Sequence, residues 1–340
     1  MTTVGIIGAG AWGTALGMAA RRAGCDVVLQ AHEPEVAREI NQRHTNHSFL
    51  PDVTLDPAIR AVEDPAAAAD RDIVLMAVPA QFVRSTCATL AKVWTAGRSL
   101  VICAKGIEAS SGALMTEVVA AALPGTVTAV LSGPTFAAEV ARDLPTALTV
   151  AAAEPSLAQR LADTLGTARV RIYRSDDMIG AQIGGAVKNV LAIACGIIEG
   201  KRLGDNSRAA LITRGITEIA RLSLAKGGRM ETVMGLTGLG DLVLTCTALQ
   251  SRNFSLGVAL GQGQSLETVL RSRRSVAEGV ASAGAIVRLA APLGVDMPLS
   301  TAVDAVVNHG ADIDATIGAL LARPPGSEIG PAAADNGPPL

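Results

Sequence analysis

Apolar residues fall along the first half of the chain in short, β-branched blocks: VGIIG (4–8), DVVLQA (26–31), DIVLMAV (72–78), SLVICA (99–104), VTAVLS (127–132), TALTVAA (146–152) and RVRIY (169–173). Blocks that are apolar on both faces, separated by helical stretches, predict a parallel sheet covered by helices on both sides. From about Ser175 the texture changes. Strand-like blocks stop, and helical patterns succeed one another at 176–199, 207–227, 238–249, 252–262, 276–291 and 299–308. The expected fold class is therefore α/β, a doubly wound sheet followed by an all-α C-terminal domain. The expected domains are 1–178 and 179–323, with a tail over 324–340 rich in Pro and Gly that is expected to be mobile.

The chain has 340 residues, 49% of them apolar and 18% charged, enough to build two sizeable cores. A formal net charge of −2 leaves no basic excess to follow a phosphate backbone, and aromatics at 2% leave few stacking platforms, so nucleic acid is not expected as a partner. Cys25, Cys87, Cys103, Cys195 and Cys246 are scattered and form no CxxC pair, which argues for small core residues in a reducing compartment. Met1-Thr2-Thr3 runs directly into the first strand, so no signal peptide is expected and a cytoplasmic location is the default. The longest uncharged stretch, Val118 to Ala138, is broken by Pro124-Gly125 and Ser132-Gly133-Pro134, and no membrane span is predicted.

Two features change this picture from a generic α/β protein to a candidate enzyme. The first is GAGAWG (8–13), placed between the first strand and a helix expected over Thr14 to Ala23. Gly8 permits the tight turn, Gly10 lets the backbone approach a pyrophosphate, and Gly13 lets helix and strand pack closely, the Rossmann-like arrangement for a dinucleotide. Ala11 and Trp12 lie within this turn and join the candidate cofactor residues. At the tip of the second strand the sequence reads Gln30-Ala31-His32-Glu33, with no carboxylate at the tip itself. His32 could face a 2′-phosphate and Glu33 could reach a ribose, so NADP and NAD both stay open; as an alternative, His32 is a solvated loop residue. His44 and His47 are spaced for two metal ligands but have no third, and no metal is expected.

The second feature is Lys188, within the otherwise apolar run from Ile183 to Ile198. A buried ammonium is costly unless its charge or proton is used. Other polar residues sit where a core would not need them. Lys105 follows a strand in CAKGIE; Gly133 and Thr135 follow another in SGPTF; Asp241 and Thr245 share one helix face at i, i+4; Ser251, Arg252 and Asn253 begin a helix with donors suited to phosphate. Taken singly, Lys105 reads as a solvated loop lysine, Asp241 as a first-turn acid favoured by the helix dipole, and Arg252 as a surface charge. Their joint presence is what points to chemistry.

The segments GAGAWGTAL (8–16), LPDVTL (50–55), DIVLMAVPAQ (72–81), AKGIE (104–108), LSGPTFAAEV (131–140), AVKNVLAIACGIIEG (186–200), GDNSRAALITRG (204–215), GLTGLGDLVLTCT (235–247), SRN (251–253) and VAEG (276–279) resemble the bacterial-type, nicotinamide-dependent glycerol-3-phosphate dehydrogenases. The glycine-rich opening is shared widely, whereas GLTGLGDLVLTCT followed by SRN is specific. The resemblance implies reversible hydride transfer between NAD(P) and the dihydroxyacetone phosphate/sn-glycerol 3-phosphate pair, in the service of glycerophospholipid synthesis. It implies Lys188 as general acid/base and Lys105 as a contact to both substrate and cofactor. Gly133, Thr135, Asn189, Asp241, Thr245, Ser251, Arg252 and Asn253 are implied at the substrate, with Arg252 also at the cofactor. Trp12, His32, Ala137 and Glu278 are implied at the cofactor. Ala104 stands where the family is expected to carry Ser or Thr, and Thr135 where Ser is usual, which bears on fine substrate affinity more than on activity. A homodimer is also expected, and apolar helical segments such as 281–291 are candidates to face a second subunit.

Two rival readings differ in class. Another two-domain reductase, acting on ketopantoate or a β-hydroxyacid, would share the opening motif and often a helical lysine but not GLTGLGDLVLTCT and SRN. A non-catalytic nicotinamide sensor would keep the fold without needing Lys188, Lys105 and Asp241 together.

Overall fold

A computed structural model describes residues 1–271 and 277–324. Among these residues eight strands form one sheet: β1 (Thr3–Ile7), β2 (Asp26–Gln30), β3 (Arg60–Val62), β4 (Ile73–Met76), β5 (Ser99–Ile102), β6 (Val127–Ser132), β7 (Thr146–Ala152) and β8 (Val170–Ser175). Their spatial order is β3-β2-β1-β4-β5-β6-β7-β8. The chain winds one way from β1 to β3, then crosses back to β4, so the order reverses between β1 and β4. Ligands bind beyond the carboxyl ends of the strands at such a reversal.

The expectation of an all-parallel sheet needs correction at one ladder. β6 and β7 are antiparallel, with Ser132 opposite Thr149 and Ala129 opposite Ala152, while the remaining pairs are parallel. An alternation of apolar residues reports which faces are buried, not strand direction, so VTAVLS and TALTVAA could not reveal the reversal. Only the short helix Ala137–Ala141 separates the two strands, a connection suited to antiparallel neighbours. β3 was also missed; three residues with an exposed Arg60 carry too little pattern.

Side chains of the sheet pack into two apolar clusters, one under each layer of covering helices. A third cluster surrounds the helix Met178–Gly200, which begins three residues after the last strand. Asp177 starts this helix by accepting from Gly180 N at 2.8 Å and, through its other oxygen, from Arg229 N at 2.9 Å. By length and composition it could cross a membrane, and Met230–Thr247 with Arg252–Gly261 passes the same test as a bent pair. Yet 94% of the apolar window in Met178–Gly200 is buried inside the protein, as befits the central helix of a core.

Around it stand Asp205–Lys226, Asp241–Thr247, Arg252–Gly261 and Glu278–Ala290. The crossing with Arg252–Gly261 is backbone to backbone. A Cβ on Gly196 would lie 2.1 Å from Phe254 O, and one on Gly257 would lie 2.1 Å from Ile193 O. Gly200 and Gly261 repeat the arrangement one turn on, at 2.3 Å from Val258 O and 2.6 Å from Ile197 O.

Three short helices escaped the sequence pattern: Met230–Val233, Leu266–Arg271 and Ile313–Leu321. The expected helix over 238–249 is shorter, Asp241–Thr247, and is preceded by a wide π-type turn at Leu236–Gly240. In the segment 281–291, a candidate subunit face, Ser282, Ala283, Ala285, Ile286 and Leu289 are buried in this chain's own helical core. The expected tail lies, from residue 325 onward, outside the described residues, as does Val276 of VAEG.

Candidate active site

The glycine turn is built as its spacing predicts. Gly8 adopts φ 106°, a conformation that L side chains rarely adopt, and its N–H donates to Gln30 O at 3.1 Å. A Cβ on Gly13 would sit 1.9 Å from Gly8 O, so the helix Ala11–Arg22 can approach the turn only because Gly13 has none. Gly10 differs: a Cβ there would meet nothing within 4 Å. An open backbone position at a helix N-terminus is the opening a pyrophosphate needs. The residues present therefore fit a dinucleotide. Ala11 and Trp12 are partly exposed in the first turn, and Trp12 Nε1 is buried without a hydrogen-bond partner among the described residues. His32 is exposed just past β2, while the Gln30 amide is held by Glu63 O at 3.1 Å. Ala137 begins its short helix beyond β6.

Beyond the carboxyl ends of β5 and β6, three elements bring charged side chains together. Lys188 projects from Met178–Gly200, Asp241 starts the helix after the π-type turn, and Lys105 follows β5. Lys188 Nζ donates to Asp241 Oδ1 at 2.7 Å and to Thr245 Oγ1 at 2.8 Å. Lys105 Nζ donates to Asp241 Oδ2 at 2.7 Å and to Gly133 O at 2.8 Å. Asp241 is 0% exposed and Lys188 only 6%, so one carboxylate is shared by two cations away from water. The i, i+4 spacing brings Thr245 onto the same face, where its hydroxyl donates to Asp241 O at 2.6 Å and accepts from Lys188.

Electrostatics follow from that enclosure. Burial depresses the Lys188 ammonium to about 8; Asp241 opposes the shift and Lys105 adds to it. A lysine with a pKa near neutrality exchanges a proton in either direction, as an acid/base group must.

Asn189, Asn253 and Glu278 knit the helices to the sheet edge. Asn189 Nδ2 donates to Lys105 O at 3.0 Å, Asn253 Nδ2 donates to Asn189 Oδ1 at 3.0 Å, and Gly279 N donates to Asn253 Oδ1 at 3.0 Å. Ala80 N donates to Glu278 Oε1 at 3.1 Å, and burial raises the Glu278 pKa against the opposing effects of that N–H and of Arg252. Ser251 Oγ accepts from Phe254 N at 3.2 Å and caps the helix Arg252–Gly261, leaving Arg252 at its first position. Gly133 has φ 141° and Thr135 Oγ1 donates back to Gly133 O at 3.2 Å. The Lys105 loop is braced by residues to which sequence reasoning gave no role. Gln81 Nε2 donates to Ile107 O and Gln81 Oε1 accepts from Ala109 N, both at 2.8 Å, while Arg84 forms a two-pronged pair with Glu108 at 2.8 and 2.7 Å. Gln81 lies within a quoted motif, but a bracing role leaves no signal of its own in sequence.

Elsewhere, all five cysteines are free and buried. His47 pairs with Glu39, and among the described residues no group of three or more His, Cys, Asp and Glu could hold a metal. A shallow groove at the free edge of β8, lined by residues such as Gly166, Val170 and Tyr173, shares no residue with the lysine cluster.

Comparison with known proteins points the same way. The sequence profile described as NAD-dependent glycerol-3-phosphate dehydrogenase N-terminus matches residues 3–158, and the corresponding C-terminus profile matches 177–318. The chain is 55% identical over 322 residues to the glycerol-3-phosphate dehydrogenase (NAD(P)+) of Rhodospirillum rubrum, covering 94% of this chain and 92% of that protein. It is 54% identical to the Caulobacter vibrioides protein of the same description, covering 94% and 97%. The crystal structure of glycerol-3-phosphate dehydrogenase from Coxiella burnetii matches with a TM-score of 0.91 at 37% identity, covering 95% and 99%. A ketopantoate reductase from Ralstonia eutropha matches with a TM-score of 0.57 at 18% identity, a likeness of fold alone.

Proposed function

The chain belongs to the NAD-dependent glycerol-3-phosphate dehydrogenase family, and from that premise we propose that it reduces dihydroxyacetone phosphate to sn-glycerol 3-phosphate with NADPH or NADH, and runs the reverse oxidation. The observation that carries this reading is the shared carboxylate of Asp241, 2.7 Å from both Lys188 and Lys105, the latter just past the carboxyl end of β5. Bound nicotinamide supplies the hydride. Everything else falls to the chain itself.

Reduction of a ketone places negative charge on its oxygen, and Lys188, protonated and held by Asp241 and Thr245, donates a proton there. Asp241 holds the ammonium in place and opposes the depression that burial and Lys105 impose. Lys105 adds positive charge beside the reacting oxygen and contacts both substrate and cofactor. Arg252 grips the substrate phosphate with its planar fork, helped by the Ser251-capped helix terminus and by Asn253, so binding energy remote from the carbonyl fixes its position. Gly133, Thr135 and Asn189 complete the substrate side. Gly8, Gly10, Ala11, Trp12, Gly13, His32, Ala137 and Glu278 hold the cofactor, with Lys105 and Arg252 shared between the two. In this reading residues 1–178 bind the nucleotide, residues 179–323 bring the substrate to it, and the enzyme works as a cytoplasmic homodimer supplying glycerophospholipid synthesis.

The test is oxidation of NADPH and, separately, NADH with dihydroxyacetone phosphate, with unphosphorylated dihydroxyacetone and ketopantoate as controls. Turnover with the phosphorylated triose alone is expected. Turnover with ketopantoate, or with the unphosphorylated triose as readily, would contradict it.

A further inference from the structure

The glycine turn is held from behind by a residue that its motif does not include. Asn46 lies in the loop between the helix Pro34–Arg43 and β3 and is 0% exposed. Its Nδ2 donates to Ala9 O at 2.9 Å and to Thr14 Oγ1 at 2.9 Å, and the Thr14 hydroxyl donates to the same Ala9 carbonyl at 3.3 Å. Both amide protons are thereby used on one small buried triangle.

The loop is built to hold that side chain inward. His44 ends the preceding helix in the left-handed region at φ 54°, and Leu55 N donates to His44 O at 2.7 Å. Asn46 and Leu50 pair as an isolated bridge. On the outer side Glu39 Oε1 accepts from Thr45 Oγ1 at 2.8 Å and from His47 N at 3.0 Å, and pairs with the His47 ring. The residues flanking Asn46 are thus pinned by one carboxylate while Asn46 itself points at the turn.

What this does for the turn follows from peptide geometry. In a trans peptide the C=O and N–H point in opposite directions, and among the described residues no peptide is cis. Fixing Ala9 O toward Asn46 therefore directs Gly10 N–H away from the loop, and Gly10 is the turn residue beside open space. We propose that Asn46 is a positioning residue for the cofactor, setting the Ala9–Gly10 peptide so that Gly10 N–H is presented to the pyrophosphate. This rests on the dinucleotide reading of the turn.

The test measures NADH and NADPH binding by nicotinamide fluorescence, together with Tm, for the full-length protein and for Asn46→Leu, Asn46→Ala and Leu50→Ala. The leucine variant replaces the amide by methyl groups and the alanine variant leaves room instead, so either one that folds carries the test. Leu50→Ala loosens the same loop through packing but keeps the amide. The Asn46 variants are expected to bind about tenfold more weakly, as loss of a buried hydrogen-bond pair does. Their KM for dihydroxyacetone phosphate and their kcat at saturating cofactor should stay near the unmodified values. Leu50→Ala should lower Tm while keeping cofactor Kd within about twofold. Unchanged cofactor binding in an Asn46 variant, or an equal loss in Leu50→Ala at matched Tm, would overturn the proposal alone. No nucleotide binding by the unmodified protein would overturn the dinucleotide reading and this proposal with it.

Discussion

The proposed nucleotide side and the proposed reaction side are made of different materials. On the nucleotide side the key features are glycines, a helix terminus and a buried amide, so the surface offered to a ligand is largely backbone. On the reaction side it is two lysines and a carboxylate, withdrawn from water and bound to one another. The difference teaches what each side must do. A pyrophosphate already carries its charge and needs fixed donors with room to approach, whereas a ketone becoming an alcohol needs a proton delivered at one place. Side-chain loss should therefore be severe for chemistry on one side, and added bulk should be severe for binding on the other.

The largest effect should come from Lys188→Ala. Its kcat for reduction is expected to fall by about 10³ or more while cofactor Kd stays within about twofold, since the nucleotide side is untouched. A loss of cofactor affinity with normal kcat would erase the distinction between the two sides. Asp241→Asn should come next, with kcat lower by about 10²: it keeps the shape but leaves two ammonium groups without their counter-charge.

On the nucleotide side, Gly10→Ala and Gly13→Ala separate binding from folding. The first puts a methyl group into open space, so Tm should hold while cofactor Kd rises by about tenfold. The second drives a Cβ to 1.9 Å from Gly8 O, so Tm and cofactor affinity should fall together. Equal behaviour of the two variants would show that the turn is only structural.

A smaller effect sharpens the reaction side. Gly257→Ala places a Cβ 2.1 Å from Ile193 O and should cost about 1–3 kcal/mol of stability. Because it pushes Arg252–Gly261 off the Lys188 helix, KM for dihydroxyacetone phosphate should rise by several-fold more than KM for the nucleotide.

Legibility in sequence follows the same division. Gly8, Gly10 and Gly13 could be read directly because a close backbone approach constrains residue type at fixed spacing. Lys188 stood out because a charge in an apolar helix is costly. Its partners Lys105 and Asp241 are 83 and 53 residues away; each stood out as a polar residue a core would not need, but family resemblance was required to place them in one site with Lys188. Asn46 was invisible for another reason: a polar residue in a polar loop looks ordinary until the fold buries it. The direction of β7 and the glycine crossing of Met178–Gly200 with Arg252–Gly261 also depend on long-range partners that a local pattern does not record.

The central claim is that Lys188 carries the reaction's proton, and the pH dependence of kcat/KM in both directions, which reports the free enzyme, tests it most directly. Burial lowers the lysine to about 8, so it is protonated below that pH and neutral above it. The rate of reduction, which needs the protonated form, should decline as pH rises through about 8; the rate of oxidation, which needs the neutral form, should rise over the same range. Both limbs should vanish in the residual activity of Lys188→Ala. Profiles that run parallel in the two directions, or limbs that persist in that variant, would contradict the assignment.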